Sequence, residues 1–261
     1  MAIIYALTNQ KGGVGKTTTT INLGAYLAKL DQRVLLVDID PQSNATSSVG
    51  IDKQTVKTGS YDALLDLDNG TPNILTNPKM KLSILPSSPA LAGAEVELVD
   101  ELARESRLKR ALETVSKRYD YILIDCPPSL GLLTLNGLVA ASHGVLIPVQ
   151  CEYLALEGLG QLTYTIERVR NATAPVLQVR GVILTMYDSR TNLANDVVQE
   201  VRRHFPQQVF KNVIPRSVRL AEAPSYGIPI SEYDPGSTCA NAYQSLASEI
   251  LKQDQNAVIN Q

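Results

Sequence analysis

This 261-residue chain has no hydrophobic run approaching the ~20 residues that a membrane-spanning helix needs. The N-terminal stretch MAIIYALTNQ has neither a basic region nor a cleavage site, so no secretory leader is expected. Cysteine is scarce. Cys126, Cys151 and Cys239 are odd in number and far apart, which argues against a disulfide framework and fits a reducing, cytoplasmic setting. An excess of one charge is also missing: 24 Lys and Arg stand against 26 Asp and Glu, a net charge of −2. That excludes a uniformly basic nucleic-acid coat but leaves room for a local basic patch. There is no internal repeat, low-complexity tract or linker. One domain over residues 1–252 is therefore expected, followed by a polar tail at 253–261 that frays. Apolar side chains are plentiful, at 44% against 19% charged, enough for one large core and too many for a disordered chain.

Short β-rich runs alternate with helical stretches. Strands are expected at 3–7, 33–38, 82–85, 121–124, 144–149, 179–184 and 209–213, and helices at 17–30, 61–67, 95–118, 132–141, 156–170, 193–204 and 238–251. Runs such as RVLLVD are apolar throughout, as strands buried on both faces of a parallel sheet must be. The fold class that follows is α/β, a doubly wound and mostly parallel sheet. Residues 41–76 are less regular and rich in Ser, Thr, Asp and Asn.

The sharpest local signal is Lys11-Gly12-Gly13-Val14-Gly15-Lys16-Thr17-Thr18, between the first strand and the first helix. This is the setting of a phosphate-binding loop. Glycines let backbone N–H groups curl around phosphate oxygens, and the helix N-terminus adds partial positive charge. Lys16 can reach the β- and γ-phosphates, and the Thr17 hydroxyl can ligate Mg²⁺. The usual G-x-x-x-x-G-K-[ST] pattern is only partly met, because its first Gly falls at Gln10. Two later strands end in carboxylates, Asp38 with Asp40 and Asp125. Ligands of open α/β sheets sit at the carboxyl ends of strands, so these acids can converge on a nucleotide and its Mg²⁺. A helix cap or turn residue is the competing role for each of them.

With its extra Lys11, this loop resembles the deviant Walker A family of P-loop ATPases, which includes ParA/Soj, MinD and the nitrogenase iron protein. The segments NQKGGVGKTTT, LLVDIDPQSNAT, YILIDCPPSLG and IPRSVRLAEAPSYGIPISEYDP are similar to those of ParA/Soj, the ATPase of chromosome or plasmid partition. The resemblance implies ATP and Mg²⁺ as ligands and slow hydrolysis. It implies an ATP-dependent homodimer in which Lys11 reaches across to the partner's phosphates. Asp125 matches the Walker B acid, holding Mg²⁺ through water while binding Thr17. Asp40 matches the residue that positions the attacking water and stands near the metal, with Asp38 in support. Pro215 and Arg216 fall where the family places the adenine, and a proline-led turn in a plain strand-to-helix connection is the competing explanation. Arg190 and Arg219 match arginines implicated in non-specific DNA binding, and a ParB-like partner is expected to stimulate hydrolysis on the nucleoid.

From 180 to 219 there are seven basic residues, Arg180, Arg190, Arg202, Arg203, Lys211, Arg216 and Arg219, against three acids. Such a stretch can meet phosphates without reading bases. For Arg202 and Arg203 an ordinary solvated helix face is the simpler reading. The chain begins directly at the first strand, so a preceding helix-turn-helix and sequence-specific DNA binding are not expected. The C-terminal LASEILKQDQNAVINQ has no basic face, unlike a MinD-type membrane helix. Buried inert thiols are the simpler reading of the cysteines than an iron–sulfur cluster. Two rivals remain open: a positioning ATPase of the MinD/McdA type for another cargo, and a metabolic P-loop synthetase of the dethiobiotin or cobyrinate type.

Overall fold

The structure, a computed structural model, describes residues 2–66, 72–78, 80–153 and 155–259. The strands among them are β1 (Ile3–Leu7), β2 (Val34–Asp38), β3 (Leu75–Asn77), β4 (Leu82–Leu85), β5 (Tyr121–Asp125), β6 (Val145–Gln150) and β7 (Val179–Thr185). They form one sheet in the order β3-β4-β2-β5-β1-β6-β7, parallel throughout except for β3 against β4. Every residue of β2 and β5 is buried, which is why their sequences are apolar without alternation. The register pairs Leu7 with Asp125 and Asp38 with Asp125. The carboxyl ends of β1, β5 and β2 therefore lie side by side at the centre of the sheet.

The helices are α1 (Lys16–Lys29), α2 (Asn44–Ser48), α3 (Ser60–Leu65), α4 (Leu91–Glu97), α5 (Arg107–Glu113), α6 (Leu132–Ala140), α7 (Ala155–Ala172), α8 (Asn192–His204), α9 (Val218–Glu222), α10 (Ile230–Tyr233) and α11 (Thr238–Ile259). On one side of the sheet, Leu23 and Leu27 of α1 and Leu246 and Ile250 of α11 pack in a common core. On the other, Leu112, Leu133, Leu162 and Val201 of α5, α6, α7 and α8 form a second core. α1 lies so close to β2 that a Cβ on Gly24 would meet Leu36 Cδ2 at 2.7 Å.

Three expectations are corrected. The helix expected at 95–118 is broken into α4, α5 and single turns at Leu98–Asp100, Arg104–Ser106 and Ser116–Arg118. Ala103 turns the chain with a left-handed φ of 52°. The Asn136 amide fills the gap, donating to Arg104 O at 2.8 Å and accepting from Leu108 N at 3.1 Å. The strand expected at 209–213 is an irregular segment alongside β7, joined by isolated bridges at Val209 and Pro215. Lys211 and Asn212 turn their N–H groups to Glu249 of α11, at 3.0 and 3.4 Å, and so leave the ladder. The final helix does not end at 251 but runs through Ile259, so a frayed tail does not begin at 253. Residues 260–261 of that tail, and Leu67 of the helix expected at 61–67, lie outside the described residues. β3, α2, α9 and α10 had no clear periodicity, being only three to five residues long.

The extension of α11 has a buried anchor. The Asp254 carboxylate accepts from Tyr5 Oη at 2.7 Å, Tyr121 Oη at 2.9 Å and Arg180 Nη2 at 2.9 Å. The Arg180 and Asp254 side chains are only 18% and 5% exposed. Removing one member of such a pair leaves a buried charge uncompensated, at about 3–5 kcal/mol. Asp254→Ala is therefore expected to lose stability on that scale in urea unfolding, and an unchanged midpoint would show that the anchor contributes nothing.

Candidate functional site

The segment between β1 and α1 is a tight loop. Gly13 and Gly15 take φ of 72° and 87°, a region that favours glycine, and they turn the chain into the first turn of α1. Side chains from distant strands hold the loop. Asn9 Nδ2 donates to Pro148 O at 2.8 Å, and Thr185 Oγ1 donates to Val14 O at 2.8 Å. Lys16 is buried, and its ammonium donates to the carbonyl of Lys11 at 3.3 Å. No described carboxylate lies within ion-pair distance of it. Burial pushes its pKa down, and Asp125 opposes that shift. A buried ammonium without a counter-ion, beside a glycine loop and a helix N-terminus, fits the phosphates of a nucleotide.

Beneath the loop, the Asp125 carboxylate accepts from Thr17 Oγ1 at 2.7 Å and Thr20 Oγ1 at 3.0 Å. Thr17 keeps its oxygen lone pairs while donating its proton, as a hydroxyl that also meets a cation must. Burial raises Asp125 to about 7, with nearby Asp38 adding to the rise. Asp38 is raised to about 6, again first by burial. Carboxyls destabilised in this way gain from a nearby cation. No described group of three or more His, Cys, Asp or Glu forms a metal cluster. A Mg²⁺ here would take the Thr17 hydroxyl, phosphate oxygens and waters held by the acids. Asp40, 6% exposed, accepts from Gln42 N at 2.9 Å on Oδ1. Its Oδ2 has no hydrogen-bond partner among the described residues.

Gly15 and Thr18 also line a cleft of about 250 Å³ with Met186, Pro215, Arg216 and Tyr243. The cleft lies directly beside the glycine loop, and Pro215 and Arg216 lie in its wall. Arg216 N is tied to Tyr187 O at 2.9 Å. Sequence reasoning missed Thr185, Met186 and Tyr243. Thr185 ends a parallel strand, a position that could have marked it.

Lys11 does not turn into its own loop. Its ammonium pairs with Glu152 at 3.1 Å, both side chains about half exposed. The basic residues of 180–219 do not form one patch. Arg180 is buried against Asp254, and Arg203 pairs with Glu200 at 2.7 Å. Arg190 is exposed and paired with Asp188 at 2.6 Å; its guanidinium holds that carboxyl down at about 2. Arg219 is exposed, 3.1 Å from Glu222 and 3.7 Å from Asp234. The three cysteines are buried free thiols. Burial pushes Cys151 up to about 11 and Cys126 further.

A family model described as an AAA domain matches residues 1–179. The chain is 56% identical over 250 residues to the sporulation initiation inhibitor protein Soj of Bacillus subtilis, covering 96% of this chain and 98% of that one. It is 52% identical over 252 residues to the chromosome partitioning protein ParA of Myxococcus xanthus, covering 96% and 88%. Among solved structures, cobyrinic acid a,c-diamide synthase from Mycobacterium smegmatis with bound ADP and magnesium superposes with a TM-score of 0.86 at 38% identity, covering 98% and 97%.

Proposed function

The chain belongs to the Soj/ParA family of chromosome-partitioning ATPases, and from that premise we propose an ATP-driven cycle of pairing and DNA binding. The protein is an ATPase. Lys16 and the loop N–H groups hold the phosphates, and Pro215 and Arg216 border the cleft that receives the base. When bound, Mg²⁺ neutralises phosphate charge, and Thr17 and Asp125 are the residues that would hold it. Asp40 orients the attacking water with its unpartnered oxygen. Lys11 crosses to the nucleotide of a second copy, so ATP joins two chains. Arg190 and Arg219 of the joined pair contact DNA phosphates without reading bases. Hydrolysis, stimulated by a ParB-like partner, separates the pair on the nucleoid of a cytoplasmic compartment. No described helix is long and apolar enough to cross a membrane.

The observation that carries this reading is the opposite direction of two lysines in one loop: Lys16 turns inward and Lys11 turns out to Glu152. An inward lysine serves its own nucleotide, and an outward one is available to a neighbour's. The test is DNA affinity with a non-cleavable ATP analogue and Mg²⁺, with ADP, and with no nucleotide. Strong binding is expected only with the ATP analogue. Arg219→Glu is expected to weaken it and flatten its salt dependence. Equal affinity in all three states overturns the cycle.

The likeness to cobyrinic acid a,c-diamide synthase supports a second reading, an ATP-using synthase of a corrinoid amide. The higher identities to Soj and ParA place it behind the first. ATP turnover raised by a corrinoid acid and an amide donor, and indifferent to DNA, would reverse that order.

A further inference from the structure

Four buried residues close a hydrogen-bonded ring around the backbone of Asp40. Asp38 Oδ1 accepts from Asp40 N at 3.1 Å. Asp38 Oδ2 accepts from Thr46 Oγ1 at 2.7 Å and from Thr46 N at 2.8 Å. Thr46 Oγ1, its proton given to Asp38, accepts from Ser87 N at 2.9 Å. Ser87 Oγ donates to the carbonyl of Asp40 at 2.8 Å, which completes the circuit. Asp38, Thr46 and Ser87 are wholly buried, and Asp40 is nearly so.

The ring grips one residue at both its polar backbone groups. The N–H of Asp40 is held from the end of β2, and its C=O both locally by Ser43 N at 2.8 Å and, across the sheet, from the segment that leaves β4. Gln42 N occupies Oδ1 of the same residue. What remains of Asp40 for chemistry is a single oxygen on a backbone that cannot rotate without breaking a buried bond. Breaking one costs more than its net worth, because the freed group finds no water. β4 neighbours β2 in the sheet, so Ser87 reaches Asp40 only through the fold.

We propose that Thr46 and Ser87 are positioning residues for ATP hydrolysis, setting the aim of Asp40 toward the attacking water. This rests on the reading of Asp40 given above. Neither residue touches nucleotide; each acts by fixing where the free oxygen of Asp40 points. Phosphoryl transfer depends on positioning, and a displacement near 1 Å can cost about a hundredfold in rate.

The experiment compares full-length wild type, Ser87→Ala, Thr46→Val, Thr46→Ser and Asp40→Ala by single-turnover phosphate release, ATP affinity and thermal unfolding. Ser87→Ala removes the side-chain donor to the Asp40 carbonyl and leaves the second donor, Ser43 N at 2.8 Å, in place. Thr46→Val keeps shape and removes the hydroxyl, and Thr46→Ser restores the hydroxyl. Expected is a drop of about ten- to a hundredfold in the hydrolysis rate of Ser87→Ala and Thr46→Val. ATP affinity should stay within about twofold of wild type, and Thr46→Ser should recover most of the rate. Adding Ser87→Ala to Asp40→Ala should cost nothing more. A merely structural role would lower unfolding temperature and ATP affinity without slowing hydrolysis of bound ATP, and that result overturns the proposal. So does a dead Asp40→Ala beside a Ser87→Ala of full rate. Full rate in Asp40→Ala instead overturns the reading of Asp40 itself.

Discussion

Lys16→Ala is expected to abolish ATP binding at concentrations that saturate the wild type, and to lower turnover by about 10²–10³-fold or more. The lysine sits at the start of α1, buried under the glycine loop, and the Lys11 carbonyl is the one hydrogen-bond acceptor its ammonium has among the described residues. In a low-dielectric setting, an ammonium beside phosphate oxygens is worth far more than at the surface. Alanine removes that charge and leaves the loop N–H groups to hold the phosphates alone. The same geometry predicts the stability change. Burial lowers the pKa of Lys16, so its charged form is disfavoured by folding. A group with a depressed basic pKa costs stability at pH values where the unfolded chain still carries the proton. The nucleotide-free Lys16→Ala protein should therefore unfold at no lower temperature than the wild type. Stabilisation by added ATP should vanish with the lysine. Calorimetric titration and thermal unfolding with and without ATP check both halves. Wild-type ATP affinity in the variant would remove Lys16 from the site.

Asp40→Ala is expected to have the opposite signature, with ATP held and not consumed. Among the described residues Asp40 makes no hydrogen bond or ion pair with the loop or with Lys16, although its charge favours the Lys16 ammonium, and its Oδ2 has no hydrogen-bond partner. On the proposed reading its removal leaves the phosphate-binding groups in place while depriving the water of its acceptor. A positioned acid–base group contributes about 10²–10⁴-fold, and a loss of hydrolysis on that scale is predicted. On the proposed cycle the ATP-loaded pair accumulates, so DNA binding should persist after a pulse of ATP that the wild type exhausts. Phosphate release followed in a single turnover, with DNA retention measured in parallel, tests the two consequences together. Normal release would show that another group orients the water. The pair of variants separates holding from cutting: one loses affinity, the other loses only the chemical step.

Much of this site was legible in order along the chain. The spacing of Gly13, Gly15, Lys16 and Thr17 between an apolar strand and a helix marked the loop. Asp125 at the end of an apolar run sits where its strand pairing demands, bonded to Thr17. Arg180 and Glu249 were harder, because their roles depend on partners far along the chain. Arg180 was counted with a basic surface, yet its guanidinium is enclosed by Asp254 and Tyr5. Glu249 accepts from the backbone N–H groups of Lys211 and Asn212, midway along the irregular segment beside β7. The break near Ala103 is similar, since the amide that fills it belongs to Asn136. Composition and periodicity carry no record of such pairings.

The sequence by itself determined the glycine–lysine loop between β1 and α1, the acids that end β2 and β5, and the alternation that makes a parallel α/β sheet. Each of these is local: a few contiguous residues set the φ angles, charges and apolar period involved. Only the tertiary structure decided that Pro215 and Arg216 border the loop, that Arg180 is a buried anchor, and that Ser87 holds Asp40. Those outcomes follow from strand order and register, which bring together groups separated by many residues. Once water is excluded, each buried donor must find an acceptor within reach, and only the folded arrangement sets which one is near.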